Sequence, residues 1–227
     1  MTCDIINQQR QSLFEGLISG DSYGGPTAMA GILNDSLQAN QTFDINDLTE
    51  RYLNWWRTDA FDTGPVFDAV FQKIDKGMEP VTAVQSVGSE LNGNTAGCNP
   101  AHRIAPMALF NFIPTDLIAE YARQEACISH SHPIAGDMSA IMALLCRFLL
   151  EGWSWEEAKI QVRASEPEAW ALIKTASISN DGFGPNVLRT AIDFLDRPNS
   201  LLQASKFAGL GNYCPVIVGT IEALRKL

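Results

Sequence analysis

At 227 residues, with 46% hydrophobic and 19% charged residues, the chain has ample material for a large core and no compositional sign of disorder. A formal net charge of −10 without any lysine or arginine cluster excludes sequence-independent nucleic-acid binding, which needs a basic face to displace counterions. Five cysteines without CxxC spacing, no leader-like start and no apolar run of membrane length give the expectation of a cytoplasmic protein with free thiols and no membrane partner.

Helical periodicity dominates the chain. Residues 8–18 place Leu13, Leu17 and Ile18 on one face before Gly20 ends the run. The stretch "SGDSYGGP" follows, a glycine-rich turn around Asp21 between two helices. The spacing predicts a helix over 45–56 with Leu48, Tyr52, Trp55 and Trp56, behind a cap at Asp44 or Asn46. "TDAFDTGP" leads into 64–77, and Pro80 opens a helix over 80–91. Further helices are expected at 100–111, 115–127, 133–150, 154–165, 184–195, 199–208 and 214–226, with a capping box at Ser154 and Glu157. Period-2 alternation is nearly absent, and no linker or repeat divides the chain. The fold class is therefore all-α, a single domain over 1–227 of about ten or eleven helices.

The polar chemistry sits in five loops: "SGDSYGGP", "TDAFDTGP", "GNTAGCNPAHR", "SHSHPIAGD" and "GLGNYCP". Two of them hold all three histidines, His102, His130 and His132. A zinc site would need further ligands at fixed spacing, and His132 reads first as a hydrogen-bonding partner of a neighbouring loop. Cys98, beside Asn99 and His102, and Cys214, at a helix start, are positioned for nucleophilic work; a buried structural thiol is the commoner outcome for either. The turn around Gly24 lacks the strand and lysine of a phosphate loop. Arg103 opens an apolar helix, so its guanidinium must meet an acidic side chain, a carbonyl or a ligand phosphate. Asp59 and Asp62 could hold a hard cation such as Mg²⁺. Read locally, capping of the next helix by Asp62 or Thr63 is the stronger expectation.

Taken in order, these loops resemble the ADP-ribosylglycohydrolase family. Gly20, Asp21, Gly24 and Pro26 match its opening turn, and "FDTGPVFDAVF" resembles its first acidic stretch. "CNPAHRIAP", with Arg103, Ala105 and Pro106, and "SHSHPIAGD" resemble two more motifs, and "GLGNYCPVIVGTIEAL" occupies the place of a C-terminal Gly-Asp-x-Asp-Thr segment. The resemblance spans nearly the whole chain. It implies an all-α fold and hydrolysis of a glycosidic bond between ADP-ribose and an acceptor, with two Mg²⁺ ions orienting the ribose and activating water. Carried over residue by residue, it implies catalytic roles for Asp59 and Asp62 and metal contacts from Thr58, Asp59 and Asp62. It implies substrate contacts from Asp21, Gly24, Cys98, Asn99, His102, Arg103, His130, His132, Asn212 and Cys214.

The chain also departs from that pattern. Ala28 stands where members often carry glutamate, Ala60 interrupts the aspartate pair, and Asn212, Cys214 and Pro215 replace two aspartates and a threonine. A neutral amide and a thiol do not hold hard cations, so the expectation is one Mg²⁺ at Asp59 and Asp62, or none. The expected substrate is a small molecule or an ADP-ribosylated protein. Two functions compete: a divergent glycosidic hydrolase, and a homologue that binds ADP-ribose or a nucleotide without turnover. A weaker third is a metal-free enzyme using Cys98 or Cys214 with a loop histidine.

Overall fold

The computed structural model describes residues 3–211 and 213–227, with side chains from Ile5 onward. In chain order the helices are α1 (Cys3–Gly20), α2 (Gly25–Asn40), α3 (Ile45–Thr58), α4 (Pro65–Asp75), α5 (Pro80–Glu90), α6 (Asn99–Arg103) and α7 (Thr115–Ala126). They continue as α8 (Pro133–Leu150), α9 (Trp155–Ser165), α10 (Pro167–Thr175), α11 (Gly184–Leu195), α12 (Ser200–Ala208) and α13 (Tyr213–Leu224). Tighter 3₁₀ turns occupy Ala105–Leu109 and Gly209–Gly211. Among the described residues the one β contact is an isolated bridge between Gly97 and Phe183, so the all-α expectation holds.

Local chemistry explains most of the helix ends. Proline stands in the first turn of α2, α4, α5, α6, α8, α10 and α11, where its fixed φ is preorganised and its missing N–H costs nothing. Asp44 caps α3 by accepting from the Asn46 and Asp47 amides, and Ser154 with Glu157 forms the expected capping box on α9. Two helices lie beyond the expected set. Helix α2 was implied but unbounded, because its small residues and internal Gly31 and Asn34 dilute the apolar stripe of Met29, Leu33 and Leu37. Helix α10 has nine residues and buries only Ala169 and Ile173, too little periodicity to register. The single helix expected over 100–111 is instead α6 followed by a 3₁₀ turn, because Pro106 interrupts the α ladder. Arg147, buried in α8, then donates to Ala108 O and Phe110 O at 2.9 Å each, satisfying carbonyls that the break would orphan.

Helix α8 is the centre of the fold. It is long and apolar enough to cross a membrane, yet 72% of it is buried inside the protein, so its hydropathy is that of a core helix. The ends of the chain meet through α1 and α13, which touch backbone to backbone. A Cβ on Gly219 would lie 2.4 Å from Gly16 O, and one on Gly20 would lie 2.1 Å from Pro215 O. No larger residue fits there without separating the helices. This contact sets the turn after α1 beside the start of α13, placing two of the five loops together.

Candidate functional site

A cavity of about 210 Å³ lies where the loops converge. Tyr23 and Pro26 come from the first loop, Asp62 to Phe67 from the second, Gly97, Cys98, Asn99 and His102 from the third, His130 from the fourth, and Gly211 and Tyr213 from the fifth. All five loops singled out in the sequence reach the wall. A sixth, carrying Gly182, was missed. Its signal was present: Gly184-Pro185 repeats the Gly-Pro helix entrance of Gly25-Pro26 and Gly64-Pro65. The sixth loop is pinned to the third by Cys98 N to Gly182 O at 3.0 Å and Gly184 N to Ala96 O at 2.9 Å. The N-terminal ends of α2, α4, α11 and α13 thus surround the cavity, and their dipoles bring partial positive charge into an acidic protein.

Among the described residues Asp62 is the one carboxylate on the cavity wall, and it does not cap α4 as expected. Gly64 is the N-cap of that helix and no side chain serves it. The chain turns away at Asp62 through a left-handed backbone, φ 48°, and sends the residue to the start of α2 instead. There the Gly25 amide donates to its carboxylate. A Cβ on Gly25 would lie 2.2 Å from Asp62 O, so glycine is what permits the approach. Asp21 serves the same helix end, accepting from the amides of Tyr23 (3.2 Å), Gly24 (2.8 Å) and Thr27 (2.9 Å) and from Thr27 Oγ1 (2.7 Å). Asp62 is exposed as a whole, and partial burial of its carboxylate against the wall raises its pKa above the ordinary value; the Gly25 hydrogen bond opposes the rise and the charge of Asp21 adds to it.

The two histidines on the wall are neutral at physiological pH. Burial pushes His102 down to about 4 against the pull of Asp21, and pushes His130 down to about 3 with Arg103 adding to the effect. His102 Nε2 is buried without a hydrogen-bond partner among the described residues, an orphan that a bound polar group would satisfy. His132 does not reach the wall; its Nδ1 accepts from the Ile134 amide and caps α8. The thiols are poor nucleophiles. Burial pushes Cys98 up to about 12 and Cys214 up to about 11, so neither forms a thiolate near neutrality, and Cys214 does not line the cavity. Of the four cysteines whose side chains are described, only exposed Cys127 is expected to react with iodoacetamide at pH 8; rapid labelling of Cys98, read by peptide mass, would restore the thiol mechanism.

Asp21 and Gly24, expected as substrate contacts, are bound to each other in the turn before α2 and are not part of the wall, and three other expected site residues lie away from the cavity. Arg103 was expected in the cleft, but it is fully buried and paired with Glu125 at 2.6 Å. Thr58 Oγ1 is bound to Asn54 O at 2.9 Å within α3, and exposed Asp59 ends that helix through its amide to Trp55 O at 2.9 Å. Asn212 lies outside the described residues. The ion pair of the resembling family needs converging hard ligands. Among the described residues no three His, Cys, Asp or Glu side chains gather closely enough to hold a metal, and Asp21 is already taken by four donors.

Comparison with known proteins agrees with this architecture. A family model described as ADP-ribosylglycohydrolase matches residues 7–222. A solved structure of an ADP-ribosylglycohydrolase-related protein complex superposes with a TM-score of 0.74 at 21% identity, covering 98% of this chain and 88% of the other. At that identity the likeness is one of fold. No curated protein matches by sequence.

Proposed function

The chain belongs to the ADP-ribosylglycohydrolase family, and from that premise we propose that it hydrolyses the glycosidic bond of an ADP-ribosyl or related ribosyl substrate, using Asp62 as general base without the ion pair. The family and fold support a hydrolase-like function in general. The observation that carries the finer reading is the placement of Asp62: a carboxylate of raised pKa on the wall of a cavity otherwise lined by neutral groups. In the proposed reaction, water attacks the anomeric carbon, its proton passes to Asp62, and the bond to the acceptor breaks as the acceptor takes a proton from solvent. The Asp62 charge also favours the cationic ribosyl transition state. The cavity is smaller than the ~300–1,000 Å³ sites that enclose drug-sized ligands. It suits a ribosyl unit, leaving the base to the exposed rings of Tyr23 and Tyr213 and the diphosphate to the surrounding helix N-termini.

The test is release of ADP-ribose from ADP-ribosyl-arginine and ADP-ribosyl-serine peptides, with Mg²⁺ and with EDTA. Equal turnover in both is expected. Turnover that requires Mg²⁺ would overturn the metal-free role and return to a single ion at Asp62. That no three His, Cys, Asp or Glu side chains gather as a metal site among the described residues favours a second reading, that of a binding protein without turnover. Calorimetric binding of ADP-ribose without turnover on any ADP-ribosyl substrate would select it.

A further inference from the structure

Hydrogen bonds lead from two walls of the cavity to one buried cation. Arg103 donates through Nε to Glu125 Oε1 at 2.6 Å, through Nη1 to Asn99 Oδ1, and through Nη2 to Ser129 Oγ at 3.0 Å. Ser129 Oγ lies 2.8 Å from His130 Nδ1. A guanidinium can only donate, so Ser129 Oγ accepts from Arg103. The hydroxyl has a single hydrogen, and among the described residues His130 Nδ1 is the one acceptor within its reach. Nδ1 is therefore the accepting nitrogen and the ring proton resides on Nε2. That nitrogen is on the cavity side: it would lie 3.4 Å from a Cβ on Gly97, another wall residue. The second arm is equally directional. Asn99 accepts from Arg103 through Oδ1 and donates through Nδ2 to Thr63 O at 3.0 Å, tethering the loop that carries Asp62.

We propose that Arg103 is a positioning residue for both walls, fixing His130 through Ser129 as an Nε2–H donor and holding the Asp62 loop through Asn99. A ligand must then offer His130 an acceptor, a hydroxyl or phosphoryl oxygen, and the cavity rejects a donor at that point. Arg103 never touches the ligand; it acts through the two side chains that do. The identity of the ligand rests on the ribosyl reading, while the tautomer does not.

With three histidines in the chain, imidazole ¹⁵N spectra of the intact protein separate the two questions. In wild type His130 is expected to show a protonated Nε2 and an accepting Nδ1. Ser129→Ala leaves the Arg103–Glu125 pair in place and is expected to shift both nitrogens toward a mixture of tautomers. Ser129→Thr, which keeps the hydroxyl, is expected to restore the wild-type pattern. A wild-type ring protonated on Nδ1, or a Ser129→Ala spectrum equal to wild type, would overturn the proposal, and the first result needs no variant to fold. Added ADP-ribose is expected to move the Nε2 signal. An intact tautomer with no such movement retains the positioning role and discards the ribosyl ligand.

Discussion

Asp62→Asn is expected to lower kcat on ADP-ribosyl peptides by about 10²-fold or more, the usual contribution of a positioned general base, with ADP-ribose affinity little changed. The amide can still accept from Gly25 and preserves the turn, but it cannot take a proton from water. The pH profile of the wild type supplies an independent check. The reactive form is the carboxylate, so kcat is expected to fall as pH drops through the raised Asp62 pKa. The stability effect has the opposite sign. The folded state holds this proton to higher pH than the unfolded chain, so Asp62 weakens the fold as pH rises from the ordinary aspartate value through the raised one. Asp62→Asn removes that penalty at neutral pH. A variant as stable as wild type but inactive therefore reports lost chemistry; full activity would remove Asp62 from the mechanism.

Arg103→Leu is expected to destabilise the protein by about 3–5 kcal/mol, because it strands a buried carboxylate. Arg103 and Glu125 are both fully buried, and Glu125 Oε1 also lies 3.1 Å from the Tyr52 hydroxyl. Burial works against the arginine's charge, yet Glu125 and Tyr52 outweigh it and raise its pKa. The guanidinium further packs over the rings of Tyr52 and Phe67, each about 5.4 Å from its centre. Glu125 Oε2 has no partner among the described residues, so removing the arginine leaves that carboxylate nearly uncompensated. The double variant Arg103→Leu/Glu125→Leu is expected to recover much of the loss, since an apolar pair removes both charges together. Urea unfolding gives the comparison. A single variant within about 1 kcal/mol of wild type would show that the pair contributes no more than a surface bridge.

The same residue shows why the site was only partly legible. An arginine at the start of an apolar stretch plainly needs a partner, but three candidate partners were open from "CNPAHRIAP" alone. Glu125 answers from 22 positions along the chain, an identity that depends on how α6 and α7 pack. Asp62 is a sharper case. Beside "TGPVF" it looked like the cap of the following helix, the commonest use of such a residue. Its left-handed backbone directs it to a helix 37 residues back in the chain, a contact no window of local sequence contains. His132, by contrast, caps the helix it precedes, a bond between near neighbours.

By itself, the sequence determined the all-α class, most helix positions and the loops where the chemistry would sit. Periodicity, capping and proline placement act over a few residues and are written along the chain. Only the tertiary structure decided which residues of those loops reach a common cavity. It brought in the Gly182 loop, withdrew Asp21, Gly24, Arg103, His132, Cys214, Thr58 and Asp59 from the wall, and put Asp62 at the start of α2. Those choices follow from backbone contacts such as Gly16 with Gly219 and Gly25 with Asp62, which exist only once distant helices have packed.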